Sequence, residues 1–270
     1  MDKLSENLRN KKIIIVGGHE QACMMLDYLI ENEFDVVMCI ARQDDKGQDT
    51  IFPSLLARAR KYDIPTLQTL KLNTPKVLSS VIQFDADIVL SLQNNMIFKS
   101  DWLHIFDNKL GIVNVHYAPL PRYGGYWPEM WAIWNDEKEF AVTMHYVEEG
   151  IDSGCIIAQS FFDIDPLESR KSLYDKSTAH CFSMLKANIH RILENRVLGS
   201  EQDKSRKTYY PKSLPNDGIL DLSWDKETQN RFIRAISFPG FIGPKIKIGD
   251  QVLSICAEDV PFFTPFKISY

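Results

Sequence analysis

Short β-branched runs alternate with helix-length apolar-periodic stretches through most of this chain. Residues 12–16 form an apolar run that stops at Gly17-Gly18, and residues 23–30 follow as an apolar helix-length segment. A second continuous run, 34–41, reads as a buried strand. Thr50 then sits where an N-cap would, with Pro53 in the first turn of a helix reaching about residue 62. The unit repeats with a short strand at 64–67, a Thr74-Pro75 cap opening a helix to about 84, and a strand at 87–92. Residues 111–116 form the next strand. Strands at 141–147 and 155–162 flank a glycine-bounded turn, and a long helix spans about 169–193. This alternation predicts βαβ units and hence an α/β fold, a mostly parallel, doubly wound, Rossmann-like sheet.

The pattern changes after that helix. Residues 199–207 are polar and charged, and Tyr209-Tyr210-Pro211 and Pro215-Asn216-Asp217-Gly218 have loop chemistry. A helix is expected at 226–236 and a β-hairpin at 246–257, turning at Gly249-Asp250. The expected division is a core at 1–198 and a small C-terminal α+β tail at 199–270. Trp127, Trp131 and Trp134 fall at helical spacing after Pro128 and read as packing residues; Asp44-Asp45-Lys46 reads as a solvated loop.

Composition narrows the function classes. The chain has 270 residues, 44% of them hydrophobic and 25% charged, which is ordinary for a soluble globular protein. A net charge of −5 argues against a broad nucleic-acid-binding face, while leaving room for a local basic pocket. No apolar stretch approaches the roughly 20 residues of a membrane span, and residues 1–12 lack an apolar signal core, so no membrane contact and a cytoplasmic location are expected. The five cysteines are scattered without a CxxC pair, as small apolar residues in a reducing compartment would be.

Candidate chemistry is concentrated in 114–154. Asn114 and His116 stand two apart at the end of an apolar strand, so their side chains share one face, roughly 6.6 Å apart along it. The loop 118–125 is punctuated by Pro119, Pro121, Gly124 and Gly125 and ends that strand. Glu148-Glu149-Gly150-Ile151-Asp152-Ser153-Gly154 then sets one carboxylate between two glycines. Amide, imidazole and carboxylate together make an acyl-transfer set. His116 lies at the carboxyl end of its strand, where open α/β sheets bind ligands. His145 alternates with Thr143 and Val147 and reads as a wall residue. Gly17-Gly18 lies at the same edge but lacks G-x-G-x-x-G spacing, and reads as a tight turn into the first helix rather than a dinucleotide site.

These residues resemble the formyltransferases that use N10-formyltetrahydrofolate. The resemblance rests on Asn114-Val115-His116, Leu120-Pro121-Arg122-Tyr123 and Gly150-Ile151-Asp152-Ser153-Gly154, in that order and spacing, with the strand Val142-Thr143-Met144-His145-Tyr146-Val147 between. It implies formyl transfer through a tetrahedral oxyanion. Asn114 is then the oxyanion donor, His116 the general base toward the attacking amine, and Asp152 the group orienting the imidazole and stabilising its protonated form. No metal is implied. The resemblance further implies that folate is held by two loops. One is Gln93, Asn94, Asn95, Met96 and Ile97; the other is Tyr146, Val147, Gly150, Ile151 and Asp152.

The acceptor is the open part. Relatives commonly carry an arginine before the glycine that follows the Leu-Pro loop, where this chain has Tyr123-Gly124-Gly125. The tail is shorter than in methionyl-tRNA formyltransferases and not conspicuously basic, which disfavours multiple phosphate contacts. Length and tail resemble the nucleotide-sugar N-formyltransferases of surface-glycan and lipopolysaccharide synthesis, which act on dTDP- or UDP-linked amino sugars. Lys99, Tyr123, Tyr209, Tyr210, Lys212, Trp224, Arg231 and Arg234 are candidate substrate contacts, and a homodimer through the hairpin is expected by analogy. Three other readings stay open: a methionyl-tRNA formyltransferase, a formyltetrahydrofolate hydrolase with water as nucleophile, and a non-catalytic nucleotide binder.

Overall fold

A computed structural model describes residues 8–254 apart from 196 and 242. Strands β1 (Ile13–Gly17), β2 (Val36–Arg42), β3 (Thr66–Thr69), β4 (Ile88–Leu92) and β5 (Gly111–His116) belong to one sheet. A two-residue β6 (Gly124–Gly125) lies outside it, and β7 (Glu139–Tyr146) and β8 (Ile156–Asp163) complete it. The order of this 7-stranded sheet is β3-β2-β1-β4-β5-β7-β8, with the first five strands parallel and the last two joined antiparallel. The all-apolar face-to-face runs explain the burial: Ile13, Ile14, Ile15 and Val16 are each fully enclosed, as strands covered on both faces must be.

The helices are α1 (His19–Glu31), α2 (Leu55–Lys61), α3 (Pro75–Phe84), α4 (Ser100–Phe106), α5 (Pro128–Trp134), α6 (Arg170–Glu194) and α7 (Lys226–Ile236). The two sides of the sheet carry separate apolar clusters. One takes residues from α1, α2, α5, α6 and α7, and the other takes Val77, Val81, Trp102 and Phe106 from α3 and α4. α4 was not anticipated from the apolar pattern.

One expected cap moves. Thr50 spends its backbone N–H on the Phe52 carbonyl in a local turn, and Ser54 is the residue that caps α2. The Ser54 hydroxyl accepts from the Ala57 N–H at 3.0 Å and donates to Asp45 at 2.5 Å. Asp45 is therefore tied into the loop and only partly exposed, while Asp44 pairs with Arg42. The Thr74-Pro75 cap of α3 stands as read.

The tail threads back over the core. β9 (Tyr209–Tyr210) pairs in parallel with β6. Phe232, Ala235 and Ile236 of α7, with Phe238, join the main apolar cluster. β10 (Lys245–Ile248) and β11 (Gln251–Ser254) form an antiparallel hairpin. The expected continuation of that hairpin to 257 lies outside the described residues.

The connections leave β1 toward β2 and β4 toward β5, so the strand order reverses between β1 and β4. Backbones crowd there: a Cβ on Gly17 (φ 140°) would lie 1.8 Å from the Leu92 carbonyl oxygen, and the Gly18 N–H donates to that oxygen at 3.1 Å. Gly17 thus serves close strand packing. Beyond this crevice lies a cavity of about 770 Å³.

Candidate active site

β5 delivers Asn114 and His116 to that cavity, because alternate residues of a strand share a face; Val113 lies in the core, and the buried Val115 borders both. The glycine-bounded turn after β7 delivers Asp152, whose backbone is left-handed (φ 49°). The Asp152 carboxylate accepts from the Gly125 N–H at 2.9 Å and stands 3.8 Å from His116 Nε2 and 3.9 Å from His145 Nε2. The side chains of His116 and Asp152 are only 12% and 14% exposed, so solvent screens their attraction little. Burial pushes the Asp152 carboxyl up, yet the two imidazoles, the Gly125 N–H and Lys207 outweigh it and hold the group below its ordinary value. Asp152 is the anion of the site.

The His116 ring has a second partner. Its Nε2 is 2.9 Å from the Tyr123 carbonyl oxygen, which can only accept, so Nε2 carries a hydrogen and donates it there. Ring orientation is therefore set by a main-chain carbonyl, with Asp152 beside it at a distance suited to charge rather than to a direct hydrogen bond.

Asn114 is held in turn by His145. Asn114 Nδ2 donates to His145 Nε2 at 3.0 Å, and His145 Nδ1 donates to the Tyr146 carbonyl at 2.7 Å. Burial lowers the pKa of His145 despite the pull of Asp152, which keeps the ring neutral and Nε2 an acceptor. One N–H of the Asn114 amide is thus spent, and the other is left for an oxygen in the cavity.

Gln93, Asn94, Asn95, Met96 and Ile97 all line the cavity, as do Val147, Gly150, Ile151 and Asp152. The Asn94 side chain holds the first loop, donating to the Met96 carbonyl and accepting from the Met96 N–H, both at 2.9 Å. Tyr146 is buried beside Gly111 and does not line the cavity.

Of the eight acceptor candidates, only Lys212 lines it. Tyr123 and Tyr210 stack on each other at 5.2 Å, and Tyr210 stacks on Trp131 at 4.5 Å. Trp224 packs on Trp134 and Phe232. Arg231 faces Asp136 at 3.9 Å, and Arg234 donates to the Glu168 carbonyl at 2.6 Å. Lys99 is exposed at the start of α4, and Tyr209 is exposed in β9. These side chains are taken up by the contact between tail and core, or are exposed without lining the cavity.

The sequence reading missed the far wall. His19 stacks on Phe52 with ring centroids 3.8 Å apart, and Arg170 pairs with Glu129 at 3.2 Å while lying over the Trp127 ring. All five line the cavity, so Trp127 is a wall residue as well as a packing one. The position of His19, directly after the first strand's glycines, was the available signal, since that turn borders the crevice. Among the described residues, no three His, Cys, Asp or Glu side chains group as metal ligands would, and no helix is long and apolar enough to cross a membrane.

An open α/β sheet carrying an amide, an imidazole and a carboxylate on one cavity beyond its strand ends has the groups that acyl transfer needs. The chain belongs to the formyl transferase family, whose model matches residues 10–186, and it is a formyltransferase. Methionyl-tRNA formyltransferase of Geotalea uraniireducens is 30% identical over 233 residues, spanning 85% of this chain and 74% of that protein. The bifunctional polymyxin resistance protein ArnA of Wigglesworthia glossinidia brevipalpis is 31% identical over 231 residues, spanning 84% of this chain and 35% of that one. Among solved structures, the Helicobacter canadensis N-formyltransferase in complex with folinic acid and dTDP-3-aminofucose superposes with a TM-score of 0.71. It is 25% identical, over 89% of this chain and 85% of that one. The sugar 3N-formyl transferase WlaRD, solved with dTDP and 5-N-formyl-THF, gives 0.71 at 26% identity, over 89% and 83%.

Proposed function

We propose that the protein transfers the formyl group of N10-formyltetrahydrofolate to the amine of a nucleotide-linked amino sugar. The observation that carries the chemistry is one cavity lined by Asn114, His116, Asp152 and both expected folate loops. In this reading the neutral amine attacks the formyl carbon, and the developing oxyanion takes the free N–H of Asn114. His116 accepts the proton released by the amine, and Asp152 stabilises the resulting imidazolium across 3.8 Å. The carbon–nitrogen bond to the folate then breaks, and the folate nitrogen leaves with the proton that His116 took from the amine.

The nucleotide-sugar acceptor is supported by the ligands of the two solved neighbours and by the net charge of −5, which suits a small acceptor better than a tRNA. A methionyl-tRNA acceptor is the second reading, favoured by the sequence relatives. The apolar residues Ile248 and Leu253, which share one exposed face of the hairpin, support a homodimer through that face; Leu253→Asp should then sediment as a monomer.

The test is a formyl-transfer assay with N10-formyltetrahydrofolate against dTDP- and UDP-linked 3-amino and 4-amino sugars, charged initiator tRNA and water. Turnover of one nucleotide-sugar is the expected result. Turnover of tRNA alone would replace the acceptor, and folate release without any acceptor would make the protein a hydrolase. His116→Asn should lose about 100-fold in kcat or more while still binding a folate analogue.

A further inference from the structure

The two backbone positions that seat the His116–Asp152 pair are both non-glycine and both left-handed: Tyr123 (φ 62°), whose carbonyl holds His116, and Asp152 itself (φ 49°). A Cβ makes this conformation costly, less so for Asp, so the contacts around each backbone help to hold it. At both positions one stretch of the tail, residues 200–210, supplies hydrogen bonds to that backbone.

On the Asp152 side, Ser200 and Ile156 exchange backbone hydrogen bonds at 2.8 Å each way. The Gln202 side-chain amide then donates to the carbonyls of Asp152 at 2.9 Å and Gly154 at 2.8 Å, bridging the turn. On the Tyr123 side, Thr208 takes over. Its hydroxyl accepts from the Tyr123 N–H at 2.8 Å, its carbonyl accepts from the Gly124 N–H at 3.0 Å, and its N–H donates to the Pro121 carbonyl at 3.2 Å. Tyr210 closes the series by accepting from the Tyr126 N–H at 2.9 Å. Fit is close: a Cβ on Gly125 would lie 2.2 Å from the Tyr210 carbonyl oxygen. The carboxylate and the carbonyl that holds the imidazole sit on separate loops, and these few residues span both.

We propose that residues 200–210 are a positioning clamp for catalysis, with Gln202 fixing the Asp152 turn and Thr208 fixing the Tyr123 carbonyl that orients His116. Neither residue lines the cavity, so neither contacts a ligand there. The clamp rests on the formyl-transfer reading for its kinetic consequence, but not for its structural one. Its effect belongs in kcat rather than in substrate affinity.

The experiment uses the full chain with Gln202→Leu, Thr208→Val and the conservative Thr208→Ser. Each is checked for wild-type secondary structure by circular dichroism, and read by NMR of nitrogen-15-labelled histidine and by steady-state kinetics. The expected result is that the Nε2–H signal of His116 shifts and exchanges faster with water in Gln202→Leu and Thr208→Val. With an accepted amine, kcat should fall roughly 10- to 100-fold while both KM values stay within about twofold, as misplaced catalytic groups do. Thr208→Ser keeps the hydroxyl and should behave as wild type. An unchanged His116 signal with unchanged kcat would overturn the clamp. So would a rise in acceptor KM alone, which would make the segment a binding element. If the wild-type chain formylated no amine, the functional reading would fail while the NMR signature still decided the clamp.

Discussion

Asn114 has a partner that decides which end of its amide meets a ligand. With His145 Nε2 accepting one N–H at 3.0 Å, the amide cannot turn its oxygen toward that ring without opposing two acceptors. Replacing His145 by Leu frees the amide to rotate, and kcat should drop by about 100-fold, the lower range for loss of an oxyanion donor, with little change in folate KM. Steady-state kinetics of formyl transfer checks this; a KM effect alone would mean that His145 only shapes the wall. His19 gives a different handle. Burial on Phe52, helped by Arg42, pushes its imidazole down to about 4. The unfolded chain binds this proton from about pH 6.5 downward and the folded chain does not, so stability is full above that pH and is lost as pH falls toward 4. His19→Phe, which keeps the stack, should therefore show a smaller drop in melting temperature from neutral pH to about pH 4 than wild type.

At the scale of elements, Ser54 and Thr50 make a direct comparison. Ser54→Ala removes the hydroxyl that accepts from Ala57, and thermal unfolding should show a loss of about 1 kcal/mol, while Thr50→Ala should leave stability within about 0.5 kcal/mol. Thr50 was the cap expected from sequence, and the turn closed by Thr50 N–H and Phe52 C=O takes it out of the helix start, leaving Ser54 as the cap. The strands and long helices were legible because their apolar periodicity is local. Asn114, His116 and Asp152 were legible for a related reason: strand alternation and a glycine-bounded turn fix where those side chains point. His19 and Arg170 were not, since they border one cavity only because β1 lies next to β4 and α6 packs against α5. The tail tyrosines misled for the opposite reason. An aromatic side chain looks the same in sequence whether it faces a nucleotide or, like Tyr210, lies between Tyr123 and Trp131.

For the molecule as a whole, the question is whether the tail is a separable unit. Leu220, Phe232, Ala235, Ile236 and Phe238 are buried in the same cluster as Leu26, Val113 and Leu185 of the core. Each large side chain so placed contributes about 1.5–3 kcal/mol of burial, so core and tail should unfold together. Calorimetry should show one cooperative transition; two separated ones would make the tail a domain of its own.

The clamp also has an order in time. A ribosome completes Asn114, His116 and Asp152 well before it reaches Gln202 and Thr208, because synthesis runs from the amino end. A growing chain therefore holds the proposed reactive side chains before it holds the residues proposed to aim them. On that proposal full activity waits until the chain past Tyr210 has emerged and folded back, and a stalled product would carry the whole motif with its groups unaimed.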